Sequence, residues 1–307
     1  MNVIKKLVGA MAVVAVLLAF SCCSETKPIK ALVVSGQNNH NWQVSHKVLK
    51  LILDHSGMFQ TDIVLTPAKG GDMNEFKPEF DKYDVVVLDY NGDRWSAETD
   101  SAFLQYVRNG GGVVVYHAAD NAFADWDEFN WIVALGGWEG RNEKHGPYCY
   151  WENGGLVLDE TPGNGGSHGQ QREYAIHCRN AEHPITKGLP DNWMHGKDEM
   201  YDSMRGPANI KDLLYSGKAE KETGGSGKEE PLVFTVDYGK ARIFHIMLGH
   251  CGPTAEDNPA MQCAGFQTLL LRGAEWAATG KVTQSLPADF PTDKSVSLRK
   301  EYTVVKK

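Results

Sequence analysis

The sequence predicts an α/β fold: a mostly parallel sheet flanked by helices in three layers, with an antiparallel hairpin late in the chain. Three observations predict it. Short apolar runs rich in valine recur through the first half, at 30–35, 62–65, 84–89 and 113–117. Segments with apolar residues at helical spacing alternate with them. Two later apolar runs, 232–236 and 241–248, are joined by Asp237-Tyr238-Gly239-Lys240, a hairpin signal.

The first run, K-A-L-V-V-S at 30–35, stops at Gly36, and its shortness and valines suit a strand buried on both faces. Val44, Val48, Leu49 and Ile52 then mark one face of a helix over 44–55, stopped by Gly57. Residues 62–65 form a second strand, and D-V-V-V-L-D at 84–89 a third. A helix over 97–107 ends at Asn109-Gly110-Gly111, and V-V-V-Y-H at 113–117 is the fourth strand. Strand and helix alternating in this order imply parallel pairing with right-handed crossovers. Beyond Asp125, residues 126–135 read as helix and 136–171 as an irregular stretch rich in glycine and aromatics. Residues 172–178 alternate like a strand. Phe266, Leu269, Leu270, Ala274 and Trp276 define a helix over 263–278, ended by Gly280. Residues 283–307 read as a tail packed on the surface, with a short strand at 295–298. No internal repeat is visible, so residues 30–282 are expected to form one domain.

The first residues stand apart from the fold. Lys5 and Lys6 precede an uncharged, mostly apolar run from 7 to 20, too short to span a bilayer unstretched. Ser21 then precedes Cys22, which reads as a lipoprotein cleavage site with Cys22 lipidated, in preference to an uncleaved anchor. Cys23 is disfavoured because bulky Phe20 would sit three residues before that cut. Residues 1–21 are thus expected to be a signal peptide and 22–29 a tether. The folded part is expected outside the cytoplasm, lipid-anchored in the bacterial envelope, with the membrane a partner only through that anchor.

Losing two lysines and no acids takes the formal charge from −8 to −10. An acidic chain without a basic run excludes nucleic acid as a partner. Cys149, Cys178, Cys251 and Cys263 show no C-x-x-C spacing, which argues against a zinc ribbon or redox motif. Free buried thiols are the default in a domain of this size.

Six segments together resemble the ThuA (trehalose-utilisation) family. They are G-Q-N-N-H-N-W at 36–42, G-G-V-V-V-Y-H-A-A-D at 111–120, H-P-I-T-K-G-L-P at 183–190, D-E-M-Y at 198–201, R-I-F-H-I-M-L-G-H at 242–250 and L-L-R-G-A-E-W-A at 270–277. The resemblance implies a fold similar to the class I glutamine amidotransferase domain. It also implies a place in sugar catabolism, since relatives are associated with 3-keto-glycoside processing. The expected function is processing of a glycoside or oxidised (3-keto) sugar. The alternative is a non-catalytic carbohydrate-binding lipoprotein on the same fold. Amidotransferase chemistry itself is not expected. The turn matching its nucleophile, Tyr116-His117-Ala118-Ala119-Asp120, has no cysteine or serine, and His250-Cys251-Gly252-Pro253 is not a G-x-C-x-G elbow.

In open α/β sheets ligands bind beyond the carboxyl ends of the strands. Gln37, Asn38, His40 and Trp42 follow the first strand; Asp89, Tyr90, Asn91, Asp93 and Arg94 the third; His117, Asp120 and Asn121 the fourth; His250 and Cys251 the last. Asp198 and Glu199 lie on an intervening loop, where pairing or capping is as good a reading as function. One histidine at a strand end usually has a structural role, but three at one sheet edge favour function. Two chemistries fit. His40, His117, Glu199 and His250 could ligate a divalent metal such as zinc. Alternatively His117 or His250 acts as general acid or base, oriented by Asp120 or Glu199.

Asn38, Trp42, Asn91, Arg94 and Trp138 are the expected contacts to a small carbohydrate. Trp138, Tyr148, Tyr150 and Trp151 flank the glycine-rich stretch and suit stacking on sugar rings, or simple packing of an irregular loop. His245 reads as a satisfied core histidine, His183 as part of a turn, and His168 as a loop residue able to cover a ligand. The tail could support a homo-oligomer.

Overall fold

The computed structural model describes residues 27–252 and 258–302. The expected signal peptide, Cys22 and most of the tether lie outside them. In chain order the elements are β1 (Ile29–Ser35), α1 (Trp42–His55), β2 (Phe59–Leu65), β3 (Val85–Leu88), α2 (Ala97–Arg108), β4 (Gly112–Tyr116), α3 (Asp127–Val133), β5 (Tyr148–Glu152) and β6 (Gly155–Asp159). Then come β7 (Ser167–His168), β8 (Arg172–Cys178), β9 (Asn192–Asp198), β10 (Tyr201–Asp202), β11 (Ile210–Lys218), β12 (Glu229–Tyr238), β13 (Ala241–Ile246), α4 (Pro259–Gln262) and α5 (Ala264–Thr279).

The main sheet runs β2-β1-β3-β4-β13-β12-β11-β8-β9, with β5 and β6 attached to β12. Pairing is parallel from β2 to β13 and antiparallel from β13 outward. The valine runs explain the three layers. Alternate residues of a strand face opposite sides, and here both sides are apolar. Ala31, Val33, Val85, Val87, Val114 and Phe244 pack with Val44, Val48 and Ile52 of α1 and Phe266 and Leu269 of α5. Leu32, Val34, Val86, Leu88, Val113 and Val115 pack instead with Phe103 and Tyr106 of α2 and Phe129 and Ile132 of α3. Ser96 caps α2 by accepting from the Thr99 amide.

Several boundaries differ from expectation. The second strand starts at Phe59 rather than at 62. The fourth ends at Tyr116, so His117 opens a 3-10 turn over His117–Asn121. The stretch read as irregular contains the β5–β6 hairpin, and β9 and β11 were not anticipated. The short strand expected at 295–298 reduces to one bridge, Leu298 to Cys263. Around it the tail is pinned by Met194 N–H to the Thr292 carbonyl at 2.8 Å and by Phe290 against Trp193. Cys149, Cys178, Cys251 and Cys263 are free thiols. Among the described residues no helix is long and apolar enough to cross a membrane.

Candidate metal centre

The chain leaves β1 for β2 on one side and later returns to β3 on the other. Loops after β1, β3, β4 and β13 therefore converge at a topological switch point. His40 comes from the loop between β1 and α1. Its Nδ1 lies 3.2 Å from Asn38 Oδ1 and 3.1 Å from Asn39 Oδ1, a donor's position, and its Nε2 lies 3.4 Å from Glu199 Oε2.

His117 has φ 45, a left-handed conformation that turns its ring out of the strand line. Its Nδ1 donates to the Met247 carbonyl at 2.6 Å, leaving the Nε2 lone pair 3.9 Å from Glu199 Oε2. The Tyr201 hydroxyl lies 3.2 Å from that same Nε2, and the two rings stack. His250 follows β13 and brings Nδ1 within 3.1 Å of Glu199 Oε2. Glu199 directly follows β9, and its other oxygen accepts from Gln171 Nε2 at 3.0 Å.

Burial pushes His117 down to about 3, with nearby His40 adding to the effect, so its imidazole is neutral. Burial alone would raise Glu199, but the adjacent His250 and His40 imidazoles outweigh it and hold the carboxylate well below its usual range. Burial would lower His250, yet Glu199 outweighs it and raises that imidazole.

The donor set fits a divalent ion. Three imidazole nitrogens and one carboxylate oxygen lie within 4.8 Å of one another. Ligands about 2.1 Å from a tetrahedral ion stand about 3.4 Å apart, close to the His40–Glu199 and His250–Glu199 spacings. His250 Nδ1 is buried and lies beside Glu199 out of hydrogen-bonding alignment. A lone pair facing an anion at that distance calls for a proton or a cation between them. His40 and His117 each direct the second nitrogen at an oxygen, the arrangement that fixes a ligating imidazole.

His40, Glu199 and His250 line a cavity of about 590 Å³ together with Asn39, Asn91, Asn121, Trp138, Glu139, His168, Tyr201 and Cys251, while His117 is buried beside them. That volume suits a small organic ligand. The Cys251 thiol, pushed up to about 12 chiefly by burial, is no nucleophile.

Of the expected substrate contacts, Asn91 and Trp138 line this cavity. Asn38 instead supports His40 from behind. Trp42 begins α1 and packs on His46. Arg94 is committed elsewhere, paired with Asp100 at 2.7 Å and stacked 4.0 Å over Trp126. Tyr148, Tyr150 and Trp151 sit on β5, off the cavity. Asp120 does not orient His117. It is fully buried on the far side of the 3-10 turn and bonds His245 Nε2 at 3.1 Å, while His245 Nδ1 reaches the Val133 carbonyl. His245 is thus the satisfied core histidine expected. His183 shapes its turn by accepting from the Ile185 amide. Tyr201 was missed, although it lies two residues beyond Glu199 in the D-E-M-Y segment.

Fold and site together define an α/β protein with a three-histidine, one-carboxylate cluster at its sheet switch point. The chain belongs to the ThuA, trehalose utilisation, family, whose profile matches residues 30–277. It is similar to a solved ThuA-like protein from Parabacteroides merdae at 65% identity and TM-score 0.89, over 91% of this chain and 100% of that one. A ThuA-like protein from Bacteroides uniformis shares the fold at 20% identity and TM-score 0.54, covering 85% of this chain and 96% of its own. A cytoplasmic protein from Salmonella typhimurium LT2 matches at 13% identity and TM-score 0.50, over 81% and 99%. No curated protein matches the chain.

Proposed function

We propose that this chain is an exported, lipid-anchored enzyme that processes a glycoside or oxidised (3-keto) sugar at a divalent-metal centre, zinc being the ion the donor set suits. The observation that carries the reading is the convergence of His40, His117, Glu199 and His250, three of which line a cavity shared with amides and aromatic rings. Neutral His117, its Nδ1 proton held by Met247, is suited to ligation rather than to proton transfer. A divalent ion held there supplies Lewis acidity toward a sugar carbonyl or hydroxyl oxygen. Trp138 offers a ring face to sugar C–H groups, and Asn39, Asn91 and Asn121 offer amides to hydroxyls. The Tyr201 hydroxyl stands beside the centre as a donor to substrate oxygen. Export and anchoring rest on Lys5, Lys6, the apolar run and Cys22.

The test incubates the full chain in detergent with 3-keto and ordinary disaccharides, with and without added zinc. Turnover that needs the ion and vanishes in His117→Ala is expected. Sugar bound without product under every condition overturns catalysis and leaves a carbohydrate-binding protein. Radiolabelled fatty acid should enter the wild type and not Cys22→Ser; an unlabelled wild type sinks the anchor.

A further inference from the structure

We infer that Asp198 is the positioning residue of this centre, one buried carboxylate that fixes Glu199 and His250 at the spacing an ion needs. The inference rests on the metal reading above.

The two ligands come from strands that share no ladder. Glu199 follows β9, at the end of the sheet, and His250 follows β13, with β12, β11 and β8 between them in the order. Something else must hold them together. Asp198, 1% exposed, accepts four hydrogen bonds, two of them from the chain after β13 across this gap. Its Oδ1 takes the Glu199 amide at 2.7 Å and the His250 amide at 3.1 Å. Its Oδ2 takes the Gly249 amide at 2.8 Å and His195 Nε2 at 2.7 Å. Bonds to a charged acceptor are the strong ones, and a buried carboxylate is tolerated only when so satisfied.

The local sequence is built for this. Gly249 has φ 106, and a Cβ there would come within 2.6 Å of the Phe266 ring and 2.7 Å of the Tyr116 ring. Only glycine lets two successive amides turn onto one carboxylate at this point. His195, three residues before Asp198 on the same strand, supplies the fourth donor from inside the core. Asparagine at 198 keeps the shape but presents an NH₂ where Gly249 N–H and His195 now donate. The 249–250 backbone then shifts, and the His250 imidazole with it. Loss of a supporting partner of this kind weakens metal affinity by roughly 10- to 100-fold.

The experiment titrates Co²⁺ into the full chain, read by calorimetry and by visible absorption, at a temperature where circular dichroism shows each variant folded. Wild type should take one ion. Asp198→Asn should bind 10- to 100-fold more weakly, with a changed d–d band. Loss of thermal stability with affinity and band unchanged makes Asp198 merely structural and overturns the inference. If Asp198→Asn does not fold, His195→Leu removes one donor only. It should weaken binding severalfold, and wild-type affinity there is equally fatal. If wild type takes no ion, the metal reading fails by itself. Crystal structures of the two variants then decide, and an unmoved His250 imidazole in both refutes positioning.

Discussion

Asp89 offers the sharpest test of how the strand ends are held beneath the site. It follows β3 and accepts from Ser35 of β1 at 3.1 Å and from Ser45 of α1 at 2.6 Å, joining the two elements that flank the His40 loop. Burial pushes its carboxyl up to about 7, against the lowering effect of the two serines. The folded state therefore holds a proton that the unfolded chain releases near the usual aspartate range. Below that range both states are protonated and nothing is lost. As pH rises toward 7 the native state is penalised, and the penalty levels off above it. At about 1.4 kcal/mol per unit, the cost grows by about 3 kcal/mol between roughly pH 5 and pH 8. Asp89→Asn carries no such penalty. Its stability relative to wild type should improve by that amount over the same range, measured as paired urea midpoints at each pH. A difference that stays flat with pH would mean Asp89 is ionised in the fold, and the reasoning fails.

Other outcomes follow from the same geometry. Trp138→Ala should weaken binding of a sugar substrate by about 10-fold, the loss of one aromatic face, while Arg94→Ala should leave it unchanged; titration calorimetry distinguishes them. Asp120→Ala should cost about 3–5 kcal/mol of stability by stranding buried His245, with ion affinity in the folded fraction unaltered. A large affinity loss there would return Asp120 to the site. Glu199→Gln should reduce ion affinity more than roughly 100-fold, beyond what a supporting residue costs, read by competition with a chromogenic chelator.

The parallel half of the sheet was legible because its strands are buried on both faces and so read as unbroken apolar runs. The antiparallel half was not. β9 carries His195, Gly196 and Lys197 in mid-strand, and β11 shifts register against β12 three times, which blurs its alternation. The three histidines of the centre were legible for a topological reason: each follows a strand whose carboxyl end faces the switch point, whereas Glu199 follows β9 at the far end of the sheet. That logic places a loop, not the direction of a side chain. His117 and Asp120 share one turn, yet the left-handed backbone at His117 sends its ring to Tyr201 while Asp120 faces the core. Arg94 likewise sits on the expected loop but is committed to Asp100 and Trp126, and Trp42 opens α1 against His46. Tyr201 entered the cavity through long-range packing of its ring against His117 and Trp138, which no local pattern announces.

The most direct measurement is the metal content of the purified chain, stripped with chelator, refilled with zinc and freed of excess ion. One ion per chain in the wild type, and almost none in a His117→Ala, His250→Ala double variant that remains folded, is the predicted result. Wild type that emerges with no more zinc than the double variant contradicts the account at its root.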